Sequence, residues 1–392
     1  MAKYRIFPIQ DAFLSTERST ANTGRDELLE IGGYPTSDSG HSLRALIKFD
    51  EAEIKTVLKD KAGITYPIDT TQTPTFKAKI NLALNYANEL PIAYKISAHP
   101  VADSWDEGTG KFGDVPVNHT GCSWINRLAG NNHPWTIVTQ QITSTTGNGF
   151  TVGVNELHTT ASYEAGLTGG GSWYFTTGSS PTTLSGSQSF NKNSSHDVEI
   201  DVTNATMYMT NGFIANNGFI LKVEDSIEFN QTSTTRLKYY GEDTNTIYPP
   251  FIELQWSDYS HSSTLSEVVS PDVVVSIKNN KGKYIDEGKQ RFRLHVRPEN
   301  PPRSFTTGSA YTVNHTLPTG SFWGLKDENT EEMVFDYDEY TKINADNTSN
   351  YFDIYMDGLQ PERYYRILIK TEIDGTTTVV DNNQVFKVVR NG

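Results

Sequence analysis

An all-β, multi-domain chain built of antiparallel β-sandwiches is what this sequence predicts, on three observations. Apolar and polar residues alternate with period two in short segments along most of the chain. Clusters of Gly, Asn, Asp, Ser and Thr, which favour turns, separate those segments. The 392 residues, 36 % of them hydrophobic, are too many for one ordinary sandwich and enough for two or three cores.

Ala2–Ile9 reads as a first strand, followed by a long turn-rich loop through Ser19, Asn22, Gly24, Gly32, Gly33, Asp38 and Gly40. Leu43, Ala45, Ile47 and Phe49 then alternate with polar residues as a strand. Asp50 is placed to cap a short helix, because Ile54, Val57 and Leu58 fall at i, i+3 and i+4; it is the one helix of note expected. Lys77–Tyr86 and Ile92–Pro100 alternate as two more strands. Two Gly/Thr/Ser-rich stretches, Thr143–Gly153 and Thr168–Gly186, read as long hairpin tips or insertions. Val198–Val202, Gly218–Val223, Thr235–Tyr240 and Phe251–Trp256 close this first region, which is taken as residues 1–258.

Residues 259–271 are expected to be a linker, and residues 272–392 a second β region. It opens with Val273–Ile277, an Asn-Asn-Lys-Gly turn at Asn279–Gly282, and Arg291–Val296. Strands resume at Met333–Tyr337, Tyr351–Met356, Tyr364–Ile373, Thr376–Val380 and Val385–Val389. No fixed-period repeat or heptad is present, which disfavours a solenoid, propeller or coiled coil.

Thirty-three Lys and Arg against 47 Asp and Glu give a net charge of −14, which repels phosphate backbones and anionic membranes. Nucleic acid is therefore not an expected partner, nor is membrane insertion. The single cysteine, Cys122, excludes an intrachain disulfide and any multi-cysteine metal site. Met1–Gln10 holds no apolar stretch long enough for a signal peptide or a membrane span, so synthesis and assembly in a cytoplasm are expected.

The ordered segments of the first region resemble the DNRLRE family of β-sandwich modules, which look like carbohydrate-binding modules. The resemblance begins at Asp11-Ala12-Phe13-Leu14, the Asn22–Gly24 loop and Ile31-Gly32, and continues through Arg44–Asp50 and Ala102–Thr109. It ends with Asp201-Val202-Thr203, Asn217–Lys222 and Pro249–Leu254, and is interrupted at about 118–193 by a segment without a counterpart. It implies a jelly-roll-like module without naming a ligand. In the second region, Leu359-Gln360-Pro361-Glu362-Arg363-Tyr364-Tyr365 is similar to the Leu-x-Pro-x-x-x-Tyr corner of fibronectin type III domains, which implies an Ig-like sandwich. This combination without a secretion signal resembles structural proteins of tailed phages, particularly myophages of marine bacteria.

Among chemical candidates, Gly108-Thr109-Gly110-Lys111-Phe112-Gly113 has dinucleotide-loop spacing, but Asp114-Val115-Pro116 follows where a phosphate-facing helix should start. A structural turn is the expectation there. Asp103, Asp106, Glu107 and Asp114 crowd into one oxygen-rich loop that would suit a structural calcium ion, although an acidic loop is more often merely solvated. Asp336, Asp338 and Glu339 form a weaker cluster. His99, His119, His133, His158 and His196 have no catalytic or metal-binding spacing. Trp105 is assigned to the core, whereas Trp173 and Tyr174, flanked by Gly169–Gly171, are expected as an exposed ligand-binding or interface pair.

The leading expectation is a non-enzymatic structural protein of a phage virion, in the tail, neck, baseplate or an appendage. Its partners would be other virion proteins and copies of itself. The alternatives are an adhesion module recognising host-surface glycan and, less favoured, a glycan-cleaving enzyme with a facing carboxylate pair.

Overall fold

The computed structural model describes residues 2–35, 40–70, 72–88, 90–130, 132–135, 141–143, 151–154, 169–176, 183–191, 193–228, 234–301 and 313–391. Strands dominate it. The first seven are β1 (Ala2–Ile6), β2 (Pro8–Ser15), β3 (Leu28–Pro35), β4 (Gly40–Phe49), β5 (Phe76–Leu82), β6 (Leu84–Asn88) and β7 (Ala93–Pro100). Then follow β8 (Gln141–Thr143), β9 (Thr151–Val154), β10 (Tyr174–Thr176), β11 (Gly186–Asn191) and β12 (Val198–Asp201). β13 (Phe219–Val223), β14 (Thr235–Tyr240) and β15 (Phe251–Trp256) complete the first half. The second half contains β16 (Val273–Ile277), β17 (Lys283–Ile285), β18 (Lys289–Pro298), β19 (Phe322–Asp327) and β20 (Met333–Phe335). It ends with β21 (Asn344–Ala345), β22 (Asn350–Tyr355), β23 (Tyr364–Ile373) and β24 (Thr376–Val389). The fold is all-β, as the alternation predicts.

The chain divides into two compact units: Ile6–Leu254, and a second that takes the N-terminal segment up to Arg5 together with residues from Gln255 onward. In the first unit one sheet runs β11-β7-β13-β4-β3-β14-β6, with β2 also paired to β4, and a further sheet contains β15-β5-β12. Phe76, Ala78, Ile80 and Leu82 of β5 are buried at every second position, which is the pattern of a strand with one face on the core. β5 and β6 are consecutive, so the expected Lys77–Tyr86 strand changes sheet at Ala83. β10, β9 and β8 form a small antiparallel sheet of their own.

β3 lies inside what reads as a turn-rich loop. Gly32 and Gly33 suggest a turn, yet a Cβ on Gly32 would lie 2.1 Å from the Thr235 carbonyl oxygen of β14, so glycine here permits strand contact. The expected helix is present as α1 (Glu51–Thr56), capped by Asp50, whose carboxylate accepts the Ala52 amide at 2.9 Å, and it continues as a π-helical turn over Val57–Lys61. A second helix, α2 (Thr203–Thr210), lies beyond the one expected; its β-branched threonines are weak helix formers, and burial of seven of its eight residues overrides that propensity. A one-turn α3 (Asp225–Glu228) follows β13.

In the second unit, sheets β16-β18-β22-β21 and β17-β24-β23-β19-β20 bury Phe292, Leu294, Val296, Trp323, Phe352, Tyr365 and Phe386 between them. This is the strand order of an Ig-like sandwich, including a first-sheet strand whose continuation, β17, pairs parallel with the last strand. Trp323 stacks on Phe352 at 5.2 Å and Phe352 on Phe292 at 5.5 Å. Tyr365 Oη donates to the Gln360 carbonyl at 2.9 Å, the hydrogen bond that a tyrosine corner requires.

Two boundaries differ from the expected ones. Residues 259–271 are part of the second unit: Ala345 N donates to Ser260 O, Ser262 N to Ala345 O, and Val268, 2 % exposed, joins the core. The segment is polar enough to read as a linker, but its backbone supplies the hydrogen bonds and one valine anchors it. Residues 2–5 also belong with the second unit, where Tyr4 meets Tyr355 edge-on, Lys3 pairs with Asp338 and the Arg5 guanidinium covers Phe335.

Candidate interaction surfaces

Trp173 and Tyr174 are 2 % and 6 % exposed, so the expectation of an exposed aromatic pair is overturned. The flanking glycines explain the misreading. Gly169, Gly170 and Gly171 all have positive φ, and a Cβ on them would meet the Trp124 carbonyl at 2.1 Å, Arg44 at 2.6 Å and Ile220 at 2.6 Å respectively. They bring the backbone close to the sheet instead of loosening it. Trp105, Trp124, Trp135 and Trp173 share one buried cluster with Cys122, Leu14, Leu46 and Ile220. Burial pushes the Cys122 thiol well above its usual range.

At the side of that cluster Arg44, fully buried, donates to Glu228 at 2.5 Å and to the Gly170 carbonyl at 2.6 Å, and its guanidinium lies over Trp124 and Trp173. Lys222 pairs with the other oxygen of Glu228 at 2.9 Å. Two cations thus face the buried Glu228 carboxylate; Lys222 also pairs with Asp225, and the indole faces lie against the Arg44 guanidinium. The network clamps the Gly169–Trp173 segment onto β4 and β13. Sequence patterning does not reveal it, because Arg44 sits among apolar residues where an exposed alternate position is expected.

The four loop acids do not converge. Asp103 accepts from Ser172 Oγ at 2.8 Å, and Asp114 from its own loop at Lys111 N. Asp106 contributes backbone groups, bonded to Arg127 and Cys122. Glu107 turns away to accept the Asp11 amide at 3.1 Å. Among the described residues no group of three or more His, Cys, Asp or Glu side chains is arranged to hold a metal ion. Asp338 is engaged with Lys3, and Asp336 accepts the Tyr337 amide.

The Gly-x-Gly-x-x-Gly loop packs on Asn22, with no helix after it. Asn22 is fully buried; its Nδ2 donates to the Glu107 and Cys122 carbonyls at 2.6 and 2.9 Å, and its Oδ1 accepts the Gly110 amide at 2.7 Å. Beside it, burial and the neighbouring charges of Glu242, Glu107 and Asp243 push the Asp11 carboxyl up to about 8, against the lowering effect of the Glu242 amide. Glu242 is raised to about 7 and Glu107 in the same direction, again chiefly by burial. Arg25, ion-paired to Asp243 at 3.1 Å, is the cation at the rim.

The histidines are dispersed. His99 packs on Trp173 at 5.6 Å, His196 accepts or donates at Tyr94 Oη at 2.8 Å, and His119 Nδ1 lies 2.9 Å from the Thr20 carbonyl oxygen. The His133 amide donates to Asn126, and His158 lies outside the described residues.

Among the described residues the surface offers strand edge and open clefts. β6 carries no charge and exposes Tyr86 to 51 %, and the outer edge of β24 from Thr376 to Val380 is likewise uncharged and exposes Val379 to 50 %. An open cleft of about 960 Å³ lies between α1 with its π-helical turn, residues 63–67 and the end of α2, lined by Lys55, Thr56, Lys59, Tyr66, Thr210 and Asn211 among others. No helix among the described residues is long and apolar enough to cross a membrane. A comparison with models of known protein families finds no match, and neither does one with curated proteins.

Proposed function

We propose that the chain is a non-enzymatic structural component of a phage virion, in the tail, neck, baseplate or an appendage, and that it works by protein–protein assembly. The observation that carries the assembly reading is the pair of uncharged, solvent-facing strand edges, β6 and the first half of β24. Soluble proteins usually guard such edges with Lys, Pro or inward charges, because open edges template pairing with another chain. The tailed-phage assignment is supported by the sequence resemblance alone. The test is fractionation of phage lysates with quantification of the chain in purified particles. Co-purification at fixed stoichiometry is the expected result, and a chain absent from particles overturns the reading.

Glycan recognition is the second reading, and the cleft is the observation that favours it now that Trp173 and Tyr174 are core residues. Tyr66, Thr56, Thr210 and the two lysines supply a ring face and polar groups of the kind a sugar uses. Saturable binding of host polysaccharide that Lys59→Ala weakens would support this reading, and its absence would leave assembly alone.

A further inference from the structure

We infer that the first half of β24, Thr376–Val380, is a self-pairing edge through which two copies of this chain join their C-terminal sheets about a two-fold axis. The inference rests on the assembly reading and deepens it by naming the partner as a second copy.

The segment is paired on one side only. Residues 376, 377, 378, 379 and 380 oppose Ile373, Glu372, Thr371, Lys370 and Ile369 of β23. On its other side β24 pairs with β17 only from Lys387 to Val389; β16 comes near just past the segment, where Asn382 Nδ2 donates to the Val275 carbonyl, but among the described residues no strand pairs along Thr376–Val380. The sequence Thr-Thr-Thr-Val-Val is wholly β-branched, has no proline and carries no charge, a combination that favours pairing rather than protection. Thr376 and Thr377 are exposed, Val379 is half exposed, and Val380 packs inward on the core. Asp374, in the turn, and Asp381, ahead of the positive-φ Asn383, bound this uncharged window at its two ends.

The window suits its own copy. In an antiparallel pair centred on Thr378, Thr378 faces its counterpart, Thr377 faces Val379 and Thr376 faces Val380. Threonine–threonine and β-branched pairs of this kind are favourable across strands. In the same register Asp381 falls opposite Gly375 and Asp374 opposite Asn382, so no acid meets an acid. For a chain of net charge −14, whose copies repel over most of their surface, that register places no like charges directly opposite. The pairing is isologous, hence it closes as a dimer and does not propagate.

The experiment is light scattering and sedimentation of the full chain over a range from micromolar to several hundred micromolar. The expected result is a concentration-dependent rise from 43.7 kDa toward twice that mass. Thr378→Lys, which sets two ammonium groups opposite each other, is expected to raise the dissociation constant at least ten-fold while the far-ultraviolet dichroism stays unchanged. In case that variant folds poorly, Thr378→Cys supplies a second readout. Directly opposed strand residues lie within disulfide reach, so mild oxidation with oxidised glutathione should give one reducible dimer, and the native Cys122 is buried and does not compete. A chain that stays monomeric throughout, or a Thr378→Cys protein that forms no disulfide dimer, overturns the inference. A monomer that still travels with particles sinks only the two-fold pairing, whereas a dimer absent from particles sinks only the virion reading.

Discussion

Asn22 ties its own loop to the Glu107–Cys122 segment through its side chain, beside backbone bonds such as Arg25 N to Gly110 O. It satisfies the part-buried Glu107 carbonyl, the buried Cys122 carbonyl and the buried Gly110 amide. Asn22→Leu should therefore cost about 2–4 kcal/mol in denaturant unfolding, since each orphaned group costs about 1–3 kcal/mol. A loss under about 1 kcal/mol would mean that the loops repack around the change. Arg44 supports a different expectation. Arg44→Met leaves Glu228 buried with one cation fewer and should cost about 3–5 kcal/mol. Adding Glu228→Gln should cost little more, because the charge that needed Arg44 is then gone. Additive losses in that cycle would show that the two side chains do not act as a pair.

At the scale of elements, the corner before β23 is the clearest case of a motif read directly from sequence. Tyr365→Phe removes only the hydroxyl donating to Gln360 and should lower stability by about 1 kcal/mol with the fold intact. An unchanged midpoint would make the contact incidental. Of the legible strands, β14 and β15 alternate apolar and polar residues, whereas β16 and β23 stand out by runs of β-branched, aliphatic and aromatic residues between turn residues. β3 and α2 were not legible, because a glycine pair and three threonines spread over eight residues carry the wrong local signal and tertiary contact decides the outcome. The same limit applies to sites. That Thr376–Val380 is a strand follows from its composition, but that it is an edge depends on sheet order, which no local pattern encodes. Trp173 and Tyr174 looked exposed because glycines usually mark loops, whereas these glycines serve close packing.

For the whole molecule, the two units carry carboxyl groups displaced in opposite directions. In the first unit burial lifts Asp11 to about 8, Glu242 to about 7 and Asp26 to about 6. These groups hold protons in the folded state that the unfolded chain releases near pH 4. Their contribution to stability is complete below about pH 4 and is lost as the pH rises through 6 to 8. In the second unit the hydrogen bond from Arg293 holds Asp346 at about 2, and Asp353, despite burial, is kept low by Arg291 and Lys289. That contribution is present above about pH 4 and is lost as the pH falls toward 2. Amide hydrogen exchange, expressed as protection factors for each unit between pH 3 and 9, should therefore show protection in residues 6–254 falling as the pH rises from 6 to 9. Protection in residues 255–391 should hold over that range and fall toward pH 3. Asp11→Asn keeps an acceptor for the Glu242 amide and carries no charge, so it should flatten most of the alkaline loss in the first unit alone. Parallel slopes in the two units, or an Asp11→Asn profile matching the native chain, would place the pH response elsewhere than in these carboxyl groups.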